Sequence, residues 1–498
     1  MPTTTVPTIT LATSVAKDPG VLVVGLAEAS EGPVLVGIPD DLARSFGKSL
    51  GAELVDLAQQ LGGSAKPGRT VLMAGPGGLR VVVVGLGPID VTPEEVRRAT
   101  GAAVRLVAGL SAPAPQTVTI SLEVTEPQVI KGAAEGALLG SYSYRPASPD
   151  AAGVGQIVLV SPNKRADARQ ALDLATITAR AVITAREWVN TPANLLYPDS
   201  FAESAKTLAR NAKVTAEVWD EKALEREGFG GILAVGGGSE RKPRLVKLSY
   251  APRGARFHLA LIGKGITFDT GGLNLKPADG MYTMKTDMAG AAAVMAAVLA
   301  IAELGLRIRV TAWAAMAENM PSGGSYRPSD VLTMYGGKTV ENGNSDAEGR
   351  LVMADALVKG SQEQPNLVLD VATLTGACMV ALGERVAGLM ARDDATADLV
   401  LDAAEAAGEQ FWQLPIPEDA RPKLDSLVAD LKSTADRYGG ALTAAAFLSE
   451  FVPPEIPWAH LDIAGPAFNS GAAYGYTPSG GTGAAVRTLI ALAHSLAN

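Results

Sequence analysis

The sequence predicts an α/β protein of two domains: a smaller N-terminal α/β domain and a larger C-terminal α/β domain with a mostly parallel central sheet flanked by helices. Short apolar, β-branched runs alternate with longer alanine-rich segments, a pattern typical of strands connected by helices. At 498 residues the chain is too long for one ordinary hydrophobic core. Hydrophobic residues make up 47% and charged residues 19%, which favours a packed protein over a disordered one.

The N-terminal part of the chain carries short strand patterns that lead to one long helical pattern. The strand candidates are Val21–Gly25, Arg80–Val84 and Thr117–Leu122. Ser148–Gly155 is rich in Pro, Ala and Gly, which is typical of a connecting loop. A helical pattern follows from about Ala166 to Val189. We therefore predict an N-terminal domain over residues 1–165 and a second domain over residues 166–498.

Three apolar runs in the second domain predict buried strands that lie parallel to one another. They are His258–Ile262, Arg309–Ala314 and Leu367–Val371, and each is followed by a Gly-rich or polar turn and then by a helix. In such a sheet, ligands bind outside the carboxyl ends of the strands. Polar residues that directly follow these strands are therefore the best candidates for a functional site.

Charge and cysteine content restrict the partners and the environment. The formal net charge of −9 argues against a broad surface for nucleic acid or for an anionic membrane. The single cysteine, Cys378, excludes an intrachain disulfide framework and fits a reducing compartment. No segment reaches the roughly 18 uninterrupted apolar residues of a membrane helix. We expect a cytoplasmic protein with no membrane or nucleic-acid partner.

Several charged residues follow the predicted strands of the second domain. Lys264, Asp269 and Lys276 share one glycine-bearing loop directly after the strand His258–Ile262. Asp287 lies near the first turn of an apolar helical segment, where the helix dipole favours a carboxylate. The three histidines of the chain are scattered, so that carboxylates would have to carry most of any metal site.

The segment Asn344–Leu351 (Asn-Ser-Asp-Ala-Glu-Gly-Arg-Leu) precedes another helical pattern. Asp346 and Glu348 are two residues apart, so on a regular helix they would point about 200° apart. In an extended or turning segment the same spacing places them on one side. They can therefore bind one centre only if the helix begins around or after them.

Each of these pieces also has a simpler interpretation when it is taken alone. Ser345 and Glu348 match a helix capping box, which is the favoured interpretation of that segment by itself. Asp269 in a Thr-Gly-Gly loop is typical of a turn former, and Asp287 is typical of a residue that stabilises a helix N-terminus. Lys264 alone would be a solvated surface residue.

Taken together, the four carboxylates indicate a site for two divalent cations. Two such cations would balance about four negative charges, and buried carboxylates are too costly to leave without partners. Oxygen-dominated ligands suit Mn²⁺, Mg²⁺ or Zn²⁺ better than a thiolate-selected metal. Lys264 would join them as a neutral amine if burial and the cations lowered its pKa. Lys276 and Arg350 would then be the charged donors for a developing oxyanion or a bound anion.

These residues closely resemble a known family. Asn344–Leu351 resembles the NTDAEGRL signature of the leucyl aminopeptidases, also called cytosol aminopeptidases, with Ser345 in place of the threonine. Further segments match the family pattern in order over roughly residues 165–498: Gly263–Lys276, Met284–Val294, Glu318–Gly323, Ala372–Ala377 and Trp458–Gly465. The N-terminal third is assigned to the family's smaller domain by position and pattern only.

The resemblance implies a metal-dependent aminopeptidase that removes N-terminal amino acids, leucine and other apolar ones, from peptides with a free N-terminus. One metal ion would be bound by Lys264, Asp269, Asp287 and Glu348, and the other by Asp269, Asp346 and Glu348. The two ions would be Mn²⁺ or Zn²⁺, with Mg²⁺ as an alternative.

The resemblance also assigns the catalytic and substrate positions. Lys276 and Arg350 would be the catalytic residues, the arginine holding a bicarbonate anion that acts as a base. The substrate site would be shaped by Met284, Thr373, Leu374 and Gly376. The family forms hexamers, so a homohexamer is expected.

Other functions are compatible with parts of the sequence. Val81–Gly87 resembles the start of a dinucleotide-binding fingerprint, but Asp90 stands where the third glycine belongs, so a core strand is favoured. A dinuclear phosphoesterase would use clustered carboxylates too, although the metal-ligand lysine and the signature weigh against it. A non-catalytic DNA-binding regulator is a further alternative, because some bacterial relatives of the family bind DNA, and the acidic balance lowers its weight.

Overall fold

The computed structural model describes residues 6–50, 53–110, 114, 116–144 and 153–497. The chain divides into two compact units. Unit 1 comprises Met1–Ile183 and Ser470–Ser479, and unit 2 comprises Thr184–Asn469 and Gly480–Asn498. The boundary predicted at residue 165 lies at the start of the helix Ala166–Asn190, whereas the division lies within that helix.

Unit 1 is built on a seven-stranded sheet. Its strands are β1 (Thr8–Ala12), β2 (Val21–Ala29), β3 (Gly32–Val36), β4 (Thr70–Ala74), β5 (Arg80–Pro88), β6 (Gln116–Ser121) and β7 (Val154–Val160). The order is β1-β7-β6-β2-β5-β4, with β3 paired to β2. The pairs along β1-β7-β6-β2-β5 are parallel, and β3 and β4 are antiparallel to their neighbours. The three strands predicted in this part are thereby confirmed.

The loop predicted over Ser148–Gly155 falls mostly outside the described residues, and β7 already begins at Val154.

Gly85 in β5 tests whether Val81–Gly87 is the start of a dinucleotide-binding fingerprint or a core strand. A Cβ atom on Gly85 of β5 would lie 2.1 Å from the backbone oxygen of Lys66, so this glycine accommodates the protein's own chain. The space that a phosphate would need is therefore filled, as the core-strand interpretation predicts.

The helices of unit 1 include one closely packed pair. They are α1 (Asp40–Leu50), α2 (Leu54–Gln60), α3 (Pro93–Ala108), α4 (Pro127–Gly140) and the start of α5 (Ala166–Asn190). Gly132, Gly136 and Gly140 line one face of α4 at four-residue spacing. A Cβ atom on Gly136 would lie only 2.0 Å from the backbone oxygen of Arg97 in α3. The absence of side chains on this face lets the two helix backbones approach each other.

Unit 2 is built on an eight-stranded mixed sheet. Its strands are β8 (Thr215–Trp219), β9 (Arg244–Tyr250), β10 (His258–Asp269), β11 (Arg309–Asn319), β14 (Leu367–Ala372), β15 (Ala387–Ala391), β16 (Phe411–Gln413) and β18 (Trp458–Asp462). The order is β16-β15-β18-β14-β10-β11-β9-β8. The central strands β18, β14, β10 and β11 are parallel, and the antiparallel pairs lie toward both edges. The α/β class and the two-domain organisation are confirmed.

Smaller elements complete unit 2. A three-stranded sheet contains β12 (Val331–Thr333), β13 (Thr339–Glu341) and β17 (Leu431–Lys432), and a two-stranded one contains β19 (Phe468–Asn469) and β20 (Gly480–Gly481). The remaining helices are α6 (Pro198–Arg210), α7 (Glu221–Glu227), α8 (Gly230–Gly236), α9 (Ala278–Met281), α10 (Ala289–Glu303), α11 (Glu348–Ser361), α12 (Gly376–Leu382), α13 (Asp394–Ala407), α14 (Gly440–Ser449) and α15 (Val486–Leu496).

Helices cover both faces of the central sheet. On one face, a Cβ atom on Gly263 of β10 would lie 2.6 Å from the Cα atom of Ala291, so the small residues of α10 let this helix lie directly on the sheet. On the other face, α11 packs through Leu351 and neighbouring apolar residues into a core that includes Ile262 and Trp313. The segment 278–303 is apolar enough and long enough to cross a membrane. However, 89% of its most apolar 18-residue stretch is buried inside the protein, as in the core helix of a folded domain.

A buried carboxylate ties α11 to the elements beside it. Asp355 is fully buried, and its two oxygens accept hydrogen bonds from the backbone N–H groups of Ile232 and Tyr335, both at 2.8 Å. Burial raises the pKa of Asp355 to about 7. The carboxylate thus pairs with one backbone donor of α8 and with one in the turn between β12 and β13. These two hydrogen bonds fix the position of α11 against both segments.

Candidate metal centre

The candidate site lies at the carboxyl ends of the central parallel strands of unit 2. β10 ends at Asp269, β11 at Asn319 and β14 at Ala372, and the loops that follow carry polar side chains. Because these strands are parallel neighbours, the loops meet at one edge of the sheet. The sequence pattern predicts this arrangement.

One group of side chains surrounds Lys264 of β10. Its Nζ lies 2.8 Å from Asp287 Oδ1 and 2.8 Å from Glu348 Oε1, and it donates to the backbone oxygen of Thr373 at 3.0 Å. Thr373 Oγ1 donates to Asp287 Oδ1 at 2.7 Å. Lys264 is only 3% exposed, so the interpretation of this lysine as a solvated surface residue is wrong.

A second group surrounds Lys276. Its Nζ lies 2.9 Å from Asp269 Oδ2 and 2.5 Å from Asp346 Oδ1. Carboxylate oxygens of Asp269, Asp346 and Glu348 all lie within 4.8 Å of one another, so the two groups form one cluster. Lys276 is the more open lysine, because its side chain is 17% exposed and that of Lys264 is 4% exposed.

Two glycines bring Lys276 back toward the strand that precedes it. Gly271 and Gly272 adopt left-handed backbone angles, with φ of 85° and 63°. A Cβ atom on Gly271 would lie 2.4 Å from the backbone oxygen of Asn274 and 2.8 Å from Asp346 Oδ1. The N–H of Lys276 donates to the backbone oxygen of Thr270 at 2.9 Å and closes the turn. Side chains at these glycines would collide with the turn and with the cluster.

The segment before α11 meets the condition that the spacing of its carboxylates imposes. The helix begins at Glu348, after Asp346, and its N-cap residue Ala347 makes no side-chain cap. Ser345 Oγ instead donates to the backbone oxygen of Gly271 at 2.7 Å and accepts from the N–H of Asn274 at 2.8 Å. The capping-box interpretation is therefore wrong, because this hydroxyl joins two loops.

The residue that sequence reasoning missed most clearly is Asn319, at the end of β11. Its Nδ2 donates to Asp269 Oδ1 at 2.8 Å and to the backbone oxygen of Ser345 at 2.9 Å. It thus orients one carboxylate and holds the loop that carries Asp346. Asn319 lies inside the matched segment Glu318–Gly323, but a role for its amide could not be inferred without the neighbouring strand.

Asp462, at the end of β18, holds the loop after β14. Its Oδ1 accepts from the N–H of Leu374 at 3.1 Å, and its Oδ2 accepts from Thr375 Oγ1 at 2.7 Å. These bonds fix the loop whose Thr373 contacts both Lys264 and Asp287. Asp462 also lies in a matched segment, Trp458–Gly465. Its role in holding the loop after β14 becomes visible once β18 is seen to pair with β14.

Of the residues assigned to the substrate site, Thr373 lies beside Lys264, whose Nζ donates to its backbone oxygen at 3.0 Å. Met284 is the first residue of a 3₁₀ turn, and its backbone oxygen accepts a hydrogen bond from the N–H of Asp287 at 3.3 Å. Leu374 directly follows Thr373, and Gly376 begins α12 with open space around its Cα. The structure therefore places Thr373 in the cluster. Met284, Leu374 and Gly376 are within three residues of Asp287 or Thr373 in the sequence.

Arg350 lies in the first turn of α11 and is 7% exposed. Its Nη1 donates to the backbone oxygen of Ser433 at 2.8 Å. Within the described residues, its Nε has no hydrogen-bond partner and no carboxylate lies within ion-pair distance of it. Burial lowers the pKa of Arg350 to about 10. The guanidinium thus retains donors that protein acceptors do not use.

Burial and mutual charge shift the pKa values of the cluster. Burial raises the pKa of Asp287 well above its usual range and raises that of Asp269 to about 6. Burial also acts to raise the pKa of Glu348, but the ammonium groups of Lys264 and Lys276 and a backbone hydrogen bond together outweigh it and lower that pKa. For Lys264 itself, the surrounding carboxylates outweigh burial and raise the pKa. A neutral amine at Lys264 therefore requires cations within the cluster.

The donor set fits divalent cations. In the described part of the chain, the buried oxygens Asp287 Oδ2 and Glu348 Oε2 have no hydrogen-bond partner. When all four carboxylates are ionised, they exceed the two lysine ammonium groups by two negative charges, an excess that bound cations would balance. Unpaired carboxylate oxygens in a buried, negatively charged cluster suit hard or borderline cations such as Mn²⁺, Mg²⁺ or Zn²⁺.

Fold and cluster together define an α/β protein in which buried carboxylates can hold cations beside an open lysine, the arrangement that metal-dependent hydrolysis uses. The particular family follows from comparison with known proteins. Residues 183–490 match the catalytic domain of the cytosol aminopeptidase family, and residues 35–146 match the N-terminal domain of that family. The chain belongs to the cytosol aminopeptidase family.

Curated relatives and solved structures agree with this membership. The chain is 51% identical to the probable cytosol aminopeptidase of Cutibacterium acnes, over 97% of this chain and 95% of the relative. It is 48% identical to that of Micrococcus luteus, over 95% of each chain. Its fold is similar to the bottromycin maturation enzyme BotP in complex with Mn, with a TM-score of 0.85, 38% identity and coverage of 96% of this chain and 100% of that one.

These relatives support a metal-dependent aminopeptidase as the activity of the chain. They do not favour the two alternatives that the sequence left open, a dinuclear phosphoesterase and a non-catalytic DNA-binding regulator. The family resemblance drawn from Asn344–Leu351 is confirmed over nearly the whole chain.

Proposed function

We propose that the protein is a leucyl-type aminopeptidase that removes leucine and other apolar residues from the N-terminus of peptides with a free α-amino group. The observation that carries this proposal is the convergence of five side chains on one buried cluster, from strand β10, from the turn before α10 and from the start of α11. Those side chains are Lys264, Asp269, Asp287, Asp346 and Glu348. The cluster lies where a peptide could approach through the partly exposed Lys276 and Asp346.

The carboxylates of the cluster would hold two divalent cations, Mn²⁺ or Zn²⁺, with Mg²⁺ as an alternative. Lys264, Asp269, Asp287 and Glu348 would hold one ion, and Asp269, Asp346 and Glu348 would hold the other. The unpaired oxygens of Asp287 and Glu348 support this assignment, as does the Mn named with BotP. When bound, such cations polarise a carbonyl and lower the pKa of water.

Lys276 would stabilise the oxyanion that develops on the scissile carbonyl. Its ammonium is the more exposed of the two lysines in the cluster, so a bound peptide can reach it. The carboxylates beside it outweigh burial and raise its pKa, which keeps it protonated and able to donate. A donor positioned in advance in this way contributes about 3 kcal/mol to stabilisation of a transition state.

Arg350 would hold a bicarbonate anion that acts as a base. The unpaired donors of its buried guanidinium support this role, because a planar carboxylate-like anion can accept two of them at once. Burial lowers the pKa of Arg350 only to about 10, so the side chain is charged at neutral pH. Held by Arg350, such an anion would supply a general base to the site.

The side chain of the N-terminal residue would lie against Met284, Thr373, Leu374 and Gly376. Asp462 supports this assignment indirectly, because it fixes the loop that contains three of these four residues. Open space at Gly376 leaves room for a branched apolar side chain. Met284 and Leu374 would supply apolar contacts there, which would favour leucine over small or charged residues.

We further propose that the protein is a cytoplasmic homohexamer in which the N-terminal domain, predicted over residues 1–165, contributes to assembly or regulation. Several large apolar side chains are strongly exposed in the single chain, which supports association. Among the described residues with this property are Tyr282, Val380, Leu427 and Val428. Native mass spectrometry tests the stoichiometry, and a mass that corresponds to one chain would contradict the hexamer.

Metal replacement tests the activity and the metal assignment together. Protein stripped of metal is refilled with Mn²⁺, Zn²⁺ or Mg²⁺, and metal content is measured alongside hydrolysis of a panel of amino-acid amides. We expect two ions per chain, restored activity, and the fastest turnover for leucinamide and other apolar amides. A phosphate ester serves as the control substrate. Full metal content without hydrolysis of any amide would contradict the aminopeptidase assignment.

A further inference from the structure

A polar cavity of about 410 Å³ lies in unit 2, between the loop that leads to Asp346 and the loop whose Ser433 contacts Arg350. Its lining includes four charged side chains and the backbone of two loops. These are Glu341, Gly343, Lys423, Lys432, Thr434 and Asp436. A volume of this size accommodates a ligand of a few amino-acid residues.

Both loops of the cavity continue directly into the metal centre. Gly343 precedes Asp346 by three residues, so their Cα atoms can be at most about 11 Å apart. Thr434 directly follows Ser433, whose backbone oxygen accepts from Arg350 Nη1 at 2.8 Å. Ser433 Oγ accepts from the N–H of Gly343 at 2.9 Å and joins the two loops. The cavity is therefore a few residues of extended peptide away from the carboxylate cluster.

The charged side chains in the cavity are not equally available to a ligand. Glu341 Oε2 accepts from Ser426 Oγ at 2.5 Å, and Asp436 Oδ1 accepts from the N–H of Tyr438 at 2.8 Å. Both acids thus accept hydrogen bonds from the protein itself. Their remaining capacity is smaller than that of an unoccupied carboxylate.

The two lysines, in contrast, have ammonium groups without close acceptors. Among the described residues, the nearest carboxylate oxygen lies 3.8 Å from Lys423 Nζ, in Asp419, and 3.9 Å from Lys432 Nζ, in Glu341. Both distances exceed that of a hydrogen bond. The side chains are 37% and 40% exposed, so an anion can reach them without displacing protein groups. The cavity therefore offers two cationic donors beside two acids that each already accept a hydrogen bond from the protein.

We propose that this cavity binds the part of the substrate beyond the scissile bond, and that Lys423 and Lys432 bind the C-terminal carboxylate of a short peptide. The inference rests on the proposed aminopeptidase function, because it assumes that the N-terminus of the peptide lies at the carboxylate cluster. The substrate side chain would lie on the opposite side, beside Thr373. The proposal thus names the substrate class: peptides of about three to five residues, since an extended residue spans roughly 3.3 Å.

A comparison of free acids with amides tests this carboxylate contact. Peptides of the form Leu-(Ala)n, with n from 1 to 5, are prepared with a free C-terminal carboxylate and with a C-terminal amide. The ratio of kcat/KM for the acid to that for the amide is measured at each length. We expect a ratio of about 3 to 10 at one or two of the intermediate lengths, as two partly exposed ion pairs would give.

Variants connect the ratio to the two lysines. In Lys423→Gln/Lys432→Gln the ratio should fall to about one, whereas in the matched control Lys206→Gln, a surface lysine of α6, it should equal that of the parent protein. High salt should reduce the ratio in the parent protein, because exposed charge pairs are screened. Salt dependence can be measured without any variant, so a folding defect in the double variant would not leave the proposal untested.

The outcomes separate this inference from the proposed function. Hydrolysis of leucinamide together with a ratio of one at every length would overturn the carboxylate contact and leave the aminopeptidase assignment intact. A raised ratio that persists in the double variant would also overturn the assignment to these lysines. If the parent protein hydrolyses neither leucinamide nor any peptide, the proposed function itself fails.

Discussion

Replacement of Gly349 by alanine should disable the metal centre although Gly349 itself contributes no side chain to it. A Cβ atom at this position in the first turn of α11 would lie 2.5 Å from Lys264 Cε and 2.7 Å from Lys264 Nζ. Apolar contacts are comfortable at about 3.5–4.0 Å, so Lys264 would have to move by about 1 Å. A flexible lysine could usually do so at little cost.

Here the end of the lysine is held on three sides. Its Nζ is bound at 2.8 Å by Asp287, at 2.8 Å by Glu348 and at 3.0 Å by the backbone of Thr373, and a shift of about 1 Å breaks at least one of these contacts. Overpacking of this kind costs about 1–3 kcal/mol, and the better helix propensity of alanine returns up to about 1 kcal/mol. The free energy of unfolding should therefore fall by about 0–3 kcal/mol, whereas misplacement of a cluster residue by 1 Å should reduce turnover by about 100-fold.

The assay is kcat for leucinamide, measured together with bound metal and with the midpoint of thermal unfolding. We expect Gly349→Ala to lose most of its turnover and part of its metal, with a midpoint equal to or somewhat below that of the parent protein. Gly323→Ala is the matched control, because a Cβ atom there would meet nothing within 4 Å. If Gly349→Ala keeps full turnover and full metal content, the close fit of Lys264 against α11 has no role in the site.

Three further substitutions test separate parts of the reasoning. Lys276→Ala should lower kcat by about 10²–10³ with little change in bound metal, because it removes an oxyanion donor; unchanged turnover would refute that role. Asp355→Ala should lower the free energy of unfolding by about 2–4 kcal/mol in urea titrations, since it leaves buried backbone donors unpaired, whereas Asp402→Ala on α13 should not. Gly136→Ala should destabilise unit 1 by about 1–3 kcal/mol in hydrogen exchange, because α3 and α4 must separate, and Gly109→Ala, with only ordinary contacts, should have no such effect.

Several positions of the site could be predicted because the residues follow strands, as Lys276, Asp287 and Asp346 do. The expectation that Lys264 and Asp269 lie in the loop after His258–Ile262 is wrong, because β10 continues as far as Asp269. Apolar runs identify β10, β11 and β14, and in a parallel sheet the residues after such runs must meet at one edge. The two-residue spacing of Asp346 and Glu348 even predicted where α11 must begin. What the sequence did not determine is the partner of each group. The hydroxyl of Ser345 satisfies a local capping pattern, yet it bonds to Gly271 and Asn274, more than 70 residues away in the chain.

The partners that sequence reasoning missed are residues whose side chains act across strands. Asn319 reaches Asp269 on the neighbouring strand, and Asp462 reaches the loop after β14. A polar residue at the end of a strand can point into solvent or contact a neighbouring strand. The local sequence does not distinguish these two arrangements. Strand order decides, and strand order is a tertiary property. Motif matching located both segments, but only the sheet assigns a contact to each side chain.

The two lysines of the cluster show how one residue type serves two purposes. Lys264 comes from the middle of a buried strand and is held by three fixed groups, whereas Lys276 comes from a glycine turn and remains partly exposed. A group meant to stay in place benefits from a rigid strand, and a group that must meet a substrate benefits from a position at the open edge. The backbone around each lysine therefore favours a structural or ligand role for Lys264 and a role in contact with substrate for Lys276. For Lys264 to contact a substrate in place of Lys276, its ammonium would have to break its contacts with Asp287, Glu348 and the backbone of Thr373, all of them buried.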